Sequence, residues 1–353
     1  RSPSSTETWW SPPSTTRNTF IGSACHTGLS ASGFSGTGAV REARMSASLQ
    51  PGAGTTGGVD LRALSLGLAF AVMWSSAFAT ARVIVAHASP LWALSARFLI
   101  SGLLAVLVAR ALGQDWRLPG RQARAVVLFG LSQNAAYLGL NFIAMQWIEA
   151  SLAVVIAAAM PLLVAALGWA FRGERVSGSG LVGLVLGFVG VATVMGSRLS
   201  GGADAIGIAL CIAGALALAV ATLTLGAASA RGNLLMVVGL QMLVGSAALF
   251  LIALAVETPR FDPDPRFWAA FLWQIAGPGL AATLIWFRLV GEVGTVRASA
   301  FHFLNPAFGV LIAALLLGES LRLPDIPGIA VTMLGILLVQ RARVRAAGAP
   351  PSG

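Results

Sequence analysis

The chain has 353 residues, 56% of them hydrophobic and 10% charged, with a net charge of +10 and a mean hydropathy of +0.81. A soluble domain carries about a quarter charged residues, so this composition excludes that class. All 23 basic residues are arginine; beyond residue 60 most lie in short gaps between apolar runs, which reads as topology signalling and not as a nucleic-acid footprint.

Residues 1–60 are rich in Ser, Thr, Gly and Pro and lack hydrophobic periodicity, which predicts a disordered tail. The sequence starts at Arg1, and Met45 is the expected native start, with 1–44 as translated upstream sequence. The tail has no apolar stretch beside a basic one, so it does not read as a signal peptide. Cys25 lies in the tail and Cys211 in mid-helix, so no disulfide framework is expected.

From there on, cutting at charges, Pro and Gly predicts ten spans of roughly the 20 apolar residues that a membrane crossing takes. They are 63–86, 90–112, 124–146, 150–171 and 178–197, then 205–228, 233–256, 267–288, 293–317 and 325–341. Span two carries Arg97, about 10 Å inside at 1.5 Å per residue. A charge at that depth is a functional candidate: it either binds a substrate carboxylate or is neutralised by Glu149 or by carbonyls as a structural pin, the reading favoured here. Span three carries Asn134, Tyr137 and Asn141 on one helical face, expected to line a cavity in preference to holding helices together.

At the mouth of span four, Glu149 is a candidate proton carrier, and Pro161 sits at mid-span. Span five holds Gly183 and Gly187 as a GxxxG pair, expected to pack within the chain more than to form a dimer face. In span eight, Gly277-Pro278-Gly279 breaks the helix, with Thr283 and Trp286 continuing a stripe from Gly279. Span nine holds His302 one turn before Asn305-Pro306. His302 is read either as a proton-exchanging group or as a hydrogen-bonded packing residue. Each proline breaks its helix at mid-bilayer and frees a carbonyl, Ala157 or His302. Glu174 and Glu319 read as pins at the repeat ends, and Arg341, Arg343 and Arg345 as anchors at the anionic leaflet.

Two stretches, 150–196 and 296–340, superpose at a constant offset of 145 without a gap: Pro161 on Pro306, Gly173-Glu174 on Gly318-Glu319, Gly183 on Gly328, Gly190 on Gly335. Such a repeat sets architecture before any motif does. One side of the membrane would hold Arg62, Arg110, Arg117, Arg121, Arg124, Arg172, Arg175, Arg231, Arg288, Arg297, Arg341, Arg343 and Arg345. The other would hold Arg82, Arg198, Arg260, Arg266 and Arg322. The excess places both termini in the cytoplasm. Five spans per copy is an odd number, so the copies insert in opposite directions. The expected fold is an all-α polytopic protein of the inner or plasma membrane, with repeat one at 61–199, repeat two at 204–342 and a cytoplasmic tail at 343–353.

The sequence resembles the drug/metabolite transporter superfamily in its EamA-like ten-span branch. The resemblance covers residues 61–341 and rests on Trp74-Ser75-Ser76-Ala77-Phe78 in span one, Pro90 with Arg97 in span two, and the mid-span prolines with Gly-Glu at the ends of spans four and nine. Arg97 has no basic counterpart in the second repeat, where Gln241 falls. The resemblance implies a basket of helices around a central cavity that exports or exchanges small metabolites, often amino acids, by alternating access. Trp74, Ser75 and Ser76 then join Asn134, Tyr137, Asn141, Pro161, Thr283, Trp286, His302, Asn305 and Pro306 as cavity candidates, with Arg97, Glu149 and His302 as charge or coupling candidates.

An enzyme is not expected. Without lysine a Walker A motif is impossible, the Gly33-Phe34-Ser35-Gly36 run lies in the tail, and the three histidines are too scattered for a metal site. No cofactor is called for. The partners are a small-molecule solute and the lipid bilayer, with monomer and homodimer both open. An intramembrane enzyme or flippase acting on a lipid or lipid-linked substrate is the alternative.

Overall fold

The structure, a computed structural model, describes residues 61–173, 176–200, 202–224, 233–293, 298, 300–320 and 322–348. Expectations for residues 1–60, among them Met45 and Cys25, and for Glu174 lie outside the described residues.

Proline, glycine and charge decide where each helix begins and ends. Helix α1 (Leu61–His87) stops at the corner before Pro90, which opens α2 (Pro90–Ala111) in the first turn, where its missing N–H is no loss. Helix α3 (Gly120–Phe129) runs into a π-helical stretch, Gly130–Tyr137, and then α4 (Leu138–Ala144). The fourth crossing is split into α5 (Ala150–Ala158) and α6 (Met160–Arg172), with Pro161 in the first turn of the second half. There follow α7 (Gly178–Ser200), α8 (Ala205–Thr224) and α9 (Leu234–Val256). Helix α10 (Pro265–Gln274) enters a second π-helical stretch, Ile275–Ala281, and continues as α11 (Ala282–Val293). A 3-10 turn, Ala300–Leu304, leads into α12 (Asn305–Leu317), and α13 spans Asp325–Gly348.

Among the described residues, nine helical segments are long and apolar enough to cross a membrane, and Phe301–Leu317 is a shorter apolar one. The protein is an all-α polytopic membrane protein. Its outer faces are apolar, with Leu103, Leu107, Val182, Leu251 and Leu315 all exposed, as lipid contact requires. Helix α13 continues past residue 341 through Arg341, Arg343 and Arg345. Arginine is a good helix former, so the first charge does not end the helix.

Irregularities recur at the offset read from the sequence. The two π stretches occupy 130–137 and 275–281. Both split crossings carry their proline in the first turn of the second half, and both second halves end on a left-handed glycine, Gly173 at φ 64° and Gly318 at φ 68°. That conformation is why glycine precedes the glutamate in each copy.

Helix α2 packs antiparallel to its own counterpart, α9, and the two exchange end caps. The amides of Leu91 and Trp92 at the start of α2 donate to the Glu257 carboxylate, just past the end of α9 (3.0 and 3.3 Å). The Met236 amide at the start of α9 donates to Gln114 Oε1, just past the end of α2 (3.0 Å). Midway, Ser95 Oγ donates to the Ser246 carbonyl and Ser246 Oγ to the Ser95 carbonyl (3.0 and 2.8 Å).

Helix α7 likewise packs antiparallel to α13, here through glycine. A Cβ on Gly190 would stand 2.5 Å from the Thr332 amide, and one on Gly335 would stand 2.3 Å from that of Gly187. The GxxxG face of α7 is thus spent within the chain.

Candidate functional site

A π-helical turn holds an extra residue, is costly in isolation and gathers at functional sites. Here each π stretch turns its polar or broken segment inward. Gly130 comes so close to α9 that a Cβ would lie 2.6 Å from the Gln241 carbonyl, and Asn134 Nδ2 donates to that same carbonyl (2.9 Å). On the other side Pro278 cannot donate to its own helix, and Thr283 Oγ1 donates to the Gly279 carbonyl (2.9 Å). Between the two stretches, α1, α2 and α9 wall a central cavity of about 660 Å³, counted out to open solvent. The cavity candidates Trp74, Asn134, Tyr137 and Thr283 are among its lining residues, and so is Arg97, which the sequence reading takes as a structural pin. Gln133, Gln241 and Gln274 line it too, with Phe78 and Phe98 among the apolar groups.

Arg97 is the one charged side chain among these residues and is 5% exposed. Its guanidinium carbon lies 4.9 Å from the centre of the Phe98 ring. Among the described residues it makes no ion pair, and its Nε has no hydrogen-bond partner. The expected partner, Glu149, is engaged elsewhere. Its carboxylate and that of Asp325 (2.6 Å) both hold the buried Arg198, and Arg322 stands 4.0 Å away. This cluster ties the start of α5 to the end of α7 and the start of α13. Glu149 is therefore an ion-pair residue whose partners are Arg198 and Arg322 and not Arg97.

A second, smaller cavity of about 310 Å³, counted out to open solvent, adjoins the first, sharing Trp74, Phe78 and Tyr137 and adding Pro161, His302 and Asn305. His302 Nδ1 meets Asn305 Nδ2 at 3.1 Å. Its ring sits among Phe70, Trp286 and Trp74, with centroids at 5.2, 5.2 and 6.1 Å. Beyond this aromatic cluster Ala63, Leu289 and Ala298 pack with Phe301, and a Cβ on Gly67 would strike the Phe301 ring at 2.2 Å. Among the described residues these side chains pack between the His302 cluster and the start of α1.

Toward the other end, a vestibule of about 2000 Å³, counted out to open solvent, is lined by Arg82, His87, Arg260, Arg266, Glu149 and Glu319, among others. A hydrogen-bonded latch separates it from the cavity. Gln274 Nε2 donates to the Ala77 carbonyl and to Thr80 Oγ1 (2.7 and 3.0 Å), and Trp273 Nε1 donates to Ser76 Oγ (2.8 Å). Gln274 faces the cavity and Thr80 the vestibule.

Other expected cavity residues serve packing. Ser75 is buried and donates to the Asn305 carbonyl (3.3 Å), which ties α1 to the break before α12. Asn141 donates to the Tyr137 carbonyl (2.8 Å) and accepts from Cys211 Sγ on α8 (3.4 Å), so it sits away from the cavity. Pro306 is buried at the break, and Trp286 belongs to the aromatic closure. Gln133, Gln241 and Gln274 were missed as a group. Their signal was available, since an amide in an apolar span is costly unless it faces protein or water.

Both halves of this cavity wall match one family model, that of the EamA-like transporter family, at residues 61–196 and again at 205–341. The chain belongs to the EamA-like transporter family. An uncharacterized transporter of Bacillus subtilis is 27% identical over 281 residues, covering 77% of this chain and 90% of the relative. A probable amino-acid metabolite efflux pump of Salmonella typhimurium is 26% identical over 290 residues, covering 77% and 93%. A solved crystal structure superposes with a TM-score of 0.60 at 19% identity, covering 82% of this chain and all of the other, a likeness of fold. This EamA-like protein is thus a multi-pass secondary transporter, and its family comprises transporters and not enzymes.

Proposed function

We propose that this EamA-like protein moves small metabolites, amino acids or related compounds, by alternating access at the central cavity, with ten spans arranged as two inverted repeats of five. The observation that carries the reading is that one cavity is walled by both copies and sits between a solvated vestibule and an aromatic closure. The antiparallel pairing of α2 with α9 and of α7 with α13 supports inversion, because counterparts related by an in-plane axis must run in opposite directions. The arginine distribution supports an outward vestibule and cytoplasmic termini. On this reading the site in the described state is closed inward, and the Gln274–Thr80 latch stands between it and the vestibule. Rocking of the repeats would part the Phe70–Trp286–His302 cluster and narrow the vestibule. The name of the Salmonella relative, a probable amino-acid metabolite efflux pump, supports export as the direction.

The test is reconstitution into sealed vesicles with labelled amino acids and related acids. Solute crossing that requires an intact membrane is the expected result. Turnover of substrate in detergent, or movement of labelled lipid in place of solute, overturns the reading in favour of an enzyme or a flippase.

A further inference from the structure

Resting on the reading of the cavity as a solute site, the charge of its wall narrows what it takes. We propose that the central cavity binds an organic monoanion, a carboxylate on an apolar body, and that Arg97 receives the carboxylate.

Arg97 is nine-tenths buried and lines the cavity, yet among the described residues it has neither an ion pair nor a hydrogen bond. The acids that could have neutralised it are committed elsewhere. Glu149 and Asp325 hold Arg198, Glu257 caps α2, and Glu319 accepts from the amides that start α5. No described Asp or Glu lines either cavity. A structural pin would show its partner; this guanidinium shows only the Phe98 ring.

A desolvated, unpaired charge is costly, and an arriving anion removes that cost while gaining a forked pair of charge-assisted hydrogen bonds. Trp74, Phe78, Phe98 and Met242 offer the apolar part of the solute a surface. A neutral amide leaves Arg97 uncompensated, and a cation is repelled. The ammonium of a zwitterion would find only neutral oxygens in the wall. The geometry therefore favours acids without a compensating amine over free amino acids.

The full chain, purified in detergent, is tested by calorimetric titration with three probes that share one ring: phenylacetate, phenylacetamide and phenylalanine. Phenylacetate is expected to bind, the other two at least tenfold more weakly. Arg97→Gln should weaken phenylacetate binding by about 10- to 100-fold, the strength of a charge-assisted hydrogen bond. Arg97→Lys should keep the anion preference with a smaller loss, since an ammonium lacks the fork.

Equal binding of the amide or of phenylalanine overturns the proposal, as does no binding of phenylacetate or full retention by Arg97→Gln. Should the Gln variant fail to fold, the wild-type ranking and the Lys variant decide. Vesicle uptake separates the two readings. Phenylacetate bound selectively but never carried across a sealed membrane counts against transport and leaves the charge preference standing. Solutes carried without preference for the anion do the reverse.

Discussion

Glu319 follows the end of one helix and serves the beginning of another. At the C-terminus of α12 the helix dipole disfavours a carboxylate, yet its two oxygens accept from Ala150 N and Ser151 N at the start of α5 (2.8 and 3.0 Å), where the dipole favours it. Its pin role is met by reaching across to a neighbour. Glu319→Gln keeps the acceptor but loses the charge and one bond, and is expected to cost about 1 kcal/mol, read as a lower thermal midpoint in detergent.

Glu257 makes the same contact to α2, but burial raises its carboxyl above the ordinary value of 4.5, against the opposing pull of the Leu91 and Trp92 amides. The folded protein therefore holds this proton more tightly than the unfolded chain does. Its contribution to stability is full below 4.5 and declines as pH rises through the raised value. Thermal unfolding of wild type and Glu257→Gln, compared from about pH 4 to about pH 7, should show wild type losing ground to the variant as pH rises. A constant gap across that range refutes the account.

At the scale of elements, the antiparallel pairs are set by what is absent from side chains. Helices α7 and α13 approach until glycine backbones touch, and the contact between Gly183 and Gly335 recurs between Gly190 and Gly328, as a two-fold relation between the two helices demands. Lipid is as apolar as leucine, so van der Waals packing must hold such a pair, and small residues allow it. Gly335→Ala would place its Cβ 2.3 Å from backbone in α7, where nothing flexible can yield. The expected cost is about 1–3 kcal/mol, measured as a fall in thermal midpoint. The equivalent change at Gly196, with no atom within 4 Å, should be tolerated.

At the scale of the molecule, the proposed inversion and the outward vestibule make one topological statement. Arg266 lines the vestibule, whereas Arg345 lies near the end of α13. In a background with Cys25 and Cys211 replaced by serine, Arg266→Cys should react with a membrane-impermeant maleimide applied to intact cells. Arg345→Cys should react only after the cells are opened. The opposite pattern reverses the orientation and makes the described state face the cytoplasm.

Sequence by itself determined the helices and their repetition, because both follow from local chemistry. Apolar runs of membrane length must be helical, Pro161 and Pro306 must break what contains them, and Gly173 and Gly318 must supply left-handed turns. It also brought Asn134, Tyr137 and Thr283 forward as cavity candidates, since polar groups in apolar spans need an interior, with Trp74 added by the family resemblance and Arg97 read as a structural pin. Partner choice was not legible, because it depends on which helices touch. Tertiary structure sent Asn141 to Cys211, Ser75 to the Asn305 carbonyl and Glu149 to Arg198, and it brought Gln241 and Gln274 into the wall. Among the described residues it left Arg97 with no counter-charge. A single span cannot reveal that vacancy, because electrostatic compensation is a property of the whole packed interior.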